Sequence, residues 1–282
     1  MHGAMVGRAA ALGNAPVRES DFRHLKPVTR GPAAVERAAR RWHRPGGATA
    51  MNAYDLIVTA HVASGTVALA TFWLSAALRK GSPLHVWVGR AYLLSMCGVL
   101  LSALPMVVQR VVDGRGVAAV FLGYLVVLVT TTVWLAWRAI RDKADPARYL
   151  GSVYSALMVA NPVAGLAVLA AGVQAGQPLL MGFSLIGILI GSDMWRRRRV
   201  IPAQPRWWMQ EHYAAMVGNG AATHIAFLAI GLPRLLPDVA SGALFYTAWF
   251  APVLLSIAAK AWLDRRYRFS GPRAVPPRPV RA

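Results

Sequence analysis

Charged residues in this chain are gathered into clusters, and between the clusters run apolar stretches of about 20 residues, the length needed to cross the hydrocarbon core of a bilayer. Seven such runs occur, at 54–78, 87–111, 117–137, 150–172, 179–195, 213–232 and 241–263. None has the strict apolar–polar alternation of a barrel strand. A backbone inside lipid must satisfy its own hydrogen bonds, so the runs are predicted to be helices. The fold class is all-α, a polytopic transmembrane bundle of about seven spanning helices.

Composition agrees with this pattern. Hydrophobic residues make up 56% of the 282 and charged residues 15%, against about 25% charged in a soluble domain. Mean hydropathy is +0.42. The net charge of +20 raises the question of nucleic acid, but the Lys and Arg lie between apolar runs and in the tails, where membrane topology puts them. The expected partner is therefore the lipid bilayer, and no nucleic acid. A single cysteine, Cys97 in the second run, excludes an intrachain disulfide and any Cys-based zinc site. It reads as a small packing residue.

Positive charge also sets an expected orientation. Arg79, Lys80 and Arg90 flank the first connection, and Arg138, Arg141, Lys143 and Arg148 the third. Arg196 to Arg199 and Arg206 flank the fifth, and the C-terminal segment adds six more arginines. The opposite connections hold only Arg110, Arg115 and Arg234. The positive-inside rule then assigns the first set and the C-terminus to the cytoplasm. Residues 1–50 conflict with this, because their nine Lys and Arg would have to cross. The domain reading is a basic, disordered tail at 1–50, a seven-helix domain at 51–264 and a disordered basic, Pro-rich tail at 265–282. Translation starting at Met51 would remove the conflict.

Four histidines lie within or at the mouths of the runs: His61, His85, His212 and His224. Ionisable side chains in lipid are costly and mark functional sites by default. Counting helix rise from the ends places His61 with His224 near the outer face and His85 with His212 near the cytoplasmic face. Residues four apart share a helix face, so Gly65, Gly89 and Gly220 stand beside His61, His85 and His224. On the sixth run His212, Met216, Gly220 and His224 recur at a stride of four, and that stripe drifts by about 120°.

Two facing imidazoles beside backbone without a Cβ suit the iron and the flat ring of a b-type haem. Two levels would suit two haems, electron transfer across the membrane and a membrane electron donor or acceptor. The same four histidines can instead supply metal ligands to a zinc-dependent membrane hydrolase, with Asp193 as base or further ligand. A third class is a carrier or interaction protein whose histidines contact solute or brace helices without a cofactor. All three stay open from the residues alone, and catalytic residues are not assigned.

Other signals are structural. Trp207 and Trp208 beside a basic loop read as an interfacial anchor, and the Arg196 to Arg199 run as a topology determinant. Gly187 and Gly191 form a GxxxG that favours close helix packing. Pro105, Pro162 and Pro252 fall inside helices, with Asn161 beside the second.

The stretch Lys80-Gly81-Ser82-Pro83-Leu84-His85-Val86-Trp87-Val88-Gly89-Arg90-Ala91-Tyr92 follows the pattern KGxxxHxxxGxxY. It resembles a bacterial family of uncharacterised multi-pass membrane proteins, domain of unknown function 2306 and its relatives. His61 to Thr66 and Glu211-His212 through His224 resemble positions of the same family, and the likeness covers 54 to about 232. Trp208-Met209 keeps the Trp-Met pair of some members, but no histidine stands three residues before it, nor three before Trp207, where Gln204 lies. The resemblance implies a multi-pass inner-membrane protein and brings no assigned activity.

Overall fold

A computed structural model describes residues 52–235 and 242–267. The expected tail at 1–50, residues 268–282 of the expected tail at 265–282, and the proposed start at Met51 lie outside the described residues. All regular structure among the described residues is helical. The long helices are α1 (Ala53–Ala77), α2 (Pro83–Val112), α3 (Gly116–Arg141), α5 (Ser152–Gln174) and α6 (Pro178–Val200). The sixth span is α7 (Trp207–Ile225), which runs on through a π-helical stretch, Ala226–Gly231, into Leu232–Leu235. The last is α8 (Gly242–Tyr267), and one short turn, α4 (Pro146–Tyr149), joins α3 to α5. Among the described residues, seven helices are long and apolar enough to cross a membrane, so this is a multi-pass membrane protein by helix length and composition.

The ends of the helices follow local rules. Asn52 caps α1 by accepting from the Asp55 amide at 2.9 Å, and Ser82 caps α2 by accepting from the His85 amide at 3.2 Å. Pro83 takes the first turn of α2, where its missing N–H is harmless. Gly81, Gly114 and Gly176 hold positive φ in the tight connections, a conformation that glycine alone adopts cheaply. Pro233 lies just past the π-helical stretch and has no amide to donate into it. Arg265 and Arg266 belong to α8, so the helix runs beyond the expected boundary at 264.

Packing pairs α1 with α2 and α5 with α6, while α3 and α7 form the middle of the bundle. Helix α3 meets α2, α5 and α7, and α7 also meets α8. Large apolar side chains such as Trp87 (74% exposed) and Leu101 (71% exposed) face outward. That is the arrangement lipid requires, since acyl chains are as apolar as leucine and do not drive helices together. Small residues and hydrogen bonds hold the helices instead. A Cβ at Gly187 would come within 2.6 Å of the Asn161 carbonyl, and one at Gly191 within 2.5 Å of Pro162. The GxxxG is thus the contact of α6 on α5.

Cross-helix hydrogen bonds fill the interior. Asn161 donates to Thr131 at 2.8 Å, and Thr132 donates to Asn219 at 2.8 Å. The Tyr124 hydroxyl donates to the Phe183 carbonyl and accepts from the Gly187 amide, both at 2.7 Å. At the basic end, Arg197 and Glu211 form a buried ion pair. Glu211 also accepts from Tyr149 at 2.7 Å. Gln210 and Tyr213 extend the network to Asp264 on α8.

Three expectations are corrected here. Arg197 faces inward and pairs with Glu211, because a spacing of one residue on a helix rotates it about 100° from its exposed neighbours Arg196 and Arg198. Trp207 is buried against Tyr149, with ring centroids 4.7 Å apart, and is not an interfacial anchor. Cys97 is exposed on the bundle surface, so it packs nothing in the core.

Removing one partner of a buried ion pair leaves the other uncompensated. Arg197→Met or Glu211→Leu is expected to lower stability by about 3–5 kcal/mol. The double substitution should lose less than the two single losses combined. Unfolding in detergent measures both, and unchanged stability in either single variant would contradict a structural role for the pair.

Candidate functional site

Each of the four histidines is tied down at Nδ1. His61 Nδ1 lies 3.0 Å from the Ser102 hydroxyl on α2. That hydroxyl donates to the Gly98 carbonyl at 2.7 Å, so it accepts from His61. His85 Nδ1 is 3.1 Å from the Ser75 carbonyl on α1, and His212 Nδ1 is 2.9 Å from the Ala136 carbonyl on α3. His224 Nδ1 is 2.7 Å from the Gly220 carbonyl, one turn back on its own helix. A carbonyl can only accept, which puts the ring proton on Nδ1 in the last three.

The Nε2 atoms divide the four. His224 Nε2 accepts from the Trp73 indole at 3.0 Å, so both its nitrogens are used inside the protein. Its ring also packs edge-on against Phe72 and Trp73. His85 and His212 keep the Nε2 lone pair after bonding a main-chain carbonyl through Nδ1. This is the arrangement in which a histidine binds a metal, because the Nδ1 bond fixes both tautomer and ring orientation.

The pairing expected by depth fails at the outer level. His85 bonds α1 and His212 bonds α3, and both stand in the opening turns of their own helices. His61 and His224 are not brought together. His224 bonds Trp73, which lies twelve residues beyond His61 on α1, or about 18 Å along the axis. The sixth span runs to Leu235 through the π-helical stretch, so counting rise back from residue 232 misjudged its depth. The stride-four stripe does serve two neighbours, as its drift implies. His212 meets α3, whereas Gly220 and His224 meet α1. The histidine-lined region therefore involves the third span as well as the first, second and sixth.

The glycines differ in the same way. A Cβ at Gly220 would lie 2.3 Å from the Phe72 ring, so that notch is filled by protein. At Gly65 and Gly89 a Cβ would meet no atom within 4 Å. A flat macrocycle beside His85 would thus find the Gly89 flank open, whereas Phe72 occupies the flank of His224.

A three-ligand metal centre finds no support. Among the described residues, no three His, Cys, Asp or Glu side chains are grouped so as to hold a metal ion. Asp193 forms an ion pair with Arg196 on its own helix and does not join His85 and His212. The zinc reading loses its proposed base.

Two ionisable groups between the spans have shifted titration. Burial lowers the Lys80 ammonium below the ordinary lysine range. Burial, then the Glu211 charge beside it, holds the Tyr149 phenol well above its usual range. The Tyr149–Glu211–Arg197 cluster was not anticipated as a site. Its one legible signal was Glu211, a lone acid at the start of an apolar run.

No family model matches the chain, and neither does any curated protein or solved structure. The likeness carried by the KGxxxHxxxGxxY stretch therefore supports nothing finer than a seven-helix membrane bundle.

The contrast between the glycines is testable. Gly220→Val should drive a side chain into Phe72 and lower stability by about 1–3 kcal/mol. Gly65→Ala should leave the melting temperature at or above the wild-type value, since the added methyl meets open space. Equal melting temperatures for the two variants would contradict the difference in packing.

Proposed function

We propose that the protein is a b-type haem protein of the cytoplasmic membrane, with one haem held between His85 and His212. The observation that carries this reading is the pair of Nδ1–H bonds to main-chain carbonyls, at 3.1 Å and 2.9 Å, which leave an Nε2 lone pair on each of the two rings. The open flank at Gly89 supports it further. His85 and His212 are the ligands, and the Ser75 and Ala136 carbonyls orient them. Haem held by His85 and His212 would supply reversible one-electron exchange, and the hydrogen bonds to these two residues would tune its potential.

The site belongs to the arginine-rich end, which the positive-inside rule assigns to the cytoplasm. One haem at that end fits exchange with a donor or acceptor at the cytoplasmic face. Relay across the whole bilayer through a second haem is not part of the proposal, because His224 is saturated and lies far from His61. His61 and His224 act in this reading as braces between helices, each joining a donor and an acceptor that lipid would leave unpaired.

Protein purified from haem-replete cells is expected to show a Soret band that shifts on adding dithionite. His85→Ala and His212→Ala should each abolish or halve the haem content, and His224→Ala should retain it. A colourless wild-type preparation overturns the proposal, and so does loss of haem in His224→Ala alone.

A further inference from the structure

The main-chain carbonyl that orients His85 is shared. Helix α1 ends at Ala77, and the last carbonyls of any helix lack intrahelical donors. Lys80 Nζ donates to the Ser75 carbonyl at 2.9 Å and to the Ala76 carbonyl at 2.6 Å. His85 Nδ1–H donates to the same Ser75 carbonyl at 3.1 Å. One oxygen thus uses its two lone pairs on an ammonium from the connection and an imidazole from the next helix. Ser75 itself is 4% exposed, which shields this oxygen from water.

The local sequence builds the contact. Gly81 at φ +80 turns the chain back directly after Lys80. Ser82 then caps α2 through the His85 amide, and Pro83 stiffens its first turn. His85 therefore stands in the opening turn of α2, facing the end of α1 that Lys80 covers. The spacing of lysine, glycine and histidine in Lys80-Gly81-Ser82-Pro83-Leu84-His85 is what lets both donors reach one carbonyl.

We infer that Lys80 is a positioning residue that sets the donor strength of His85 through the Ser75 carbonyl. A cation on that oxygen draws electron density from it and makes it a weaker acceptor for the imidazole. The Nδ1–H bond is then weaker, and Nε2 is less electron-rich than an imidazole bonded to the carbonyl alone. A helix cap would fix the position of α1 without this electronic consequence, so the two roles separate by measurement. The shared carbonyl stands without any cofactor, and only its effect on haem potential rests on the reading above.

The test compares full-length wild type, Lys80→Met and Lys80→Arg in detergent, reduced with dithionite and labelled with 15N-histidine. The His85 Nδ1–H proton resonance, assigned by its loss in His85→Ala, is the readout. It should move downfield in Lys80→Met, as the imidazole bond to Ser75 tightens, and stay near wild type in Lys80→Arg. A resonance unmoved in folded Lys80→Met overturns the inference, as does an equal shift in Lys80→Arg. A wild-type protein without haem defeats the proposed function, yet the same resonance still decides the role of Lys80. In protein that carries haem, the reduction potential should fall in Lys80→Met and hold in Lys80→Arg. An unchanged potential in Lys80→Met contradicts the inference.

Discussion

A polar group inside a bilayer has no water to turn to, so donors and acceptors are driven to find partners within the protein. In this bundle the requirement is met repeatedly by side chains that reach a carbonyl or hydroxyl on another helix. Asn161, Thr132 and Tyr124 do so in the middle of the bundle. His85 and His212 do so near the basic end, on carbonyls of α1 and α3. Such bonds average only about 0.6 kcal/mol each in membrane proteins, so their value lies more in fixing geometry than in raw stability. For an imidazole, fixing one nitrogen decides what the other can do. With Nδ1 bound to a carbonyl, Nε2 becomes an acceptor or a ligand.

That distinction separates four residues that look equivalent in sequence. His224 is closed on both sides by Gly220 and Trp73, and its neighbouring notch holds Phe72. His61 is anchored to Ser102 on α2, far along the bundle from the others. His85 and His212 each bond a main-chain carbonyl of another helix through Nδ1, which leaves the Nε2 lone pair. The polar cluster of Arg197, Glu211 and Tyr149 lies at the same end of α7 as His212. Helix α7 thus receives two kinds of support where it matters: an ion pair toward α6 and an imidazole toward α3. The first half of α7 is thereby held from two sides, which is what the proposed two-ligand site would require.

Much of the architecture was legible because lipid acts on nearly every residue of a span. Length, scarcity of charge and the absence of alternation are enough to define seven helices, and the glycine pair at 187 and 191 marks a close approach that the structure contains. The site was legible only in part. Residue identity indicated four histidines, but depth counting assumes regular helices with known ends. The π-helical stretch at Ala226–Gly231 and the start of α7 at Trp207 both break that assumption. Facing direction was also invisible for Arg197, which looks like its neighbours in a run of four arginines. The partner that buries it, Glu211, lies fourteen residues away across a turn, and no local periodicity reports such a pairing. Carbonyl acceptors such as Ser75 and Ala136 carry no sequence signature at all, because every residue offers the same group.

Electron paramagnetic resonance of the oxidised, purified protein tests the central claim most directly, because it reports the ligands of an iron rather than its mere presence. A low-spin ferric signal characteristic of two imidazole ligands is expected, lost or converted to high spin when His85→Ala or His212→Ala removes one of them. Protein without a ferric haem signal contradicts the account, as does a low-spin signal that survives both substitutions.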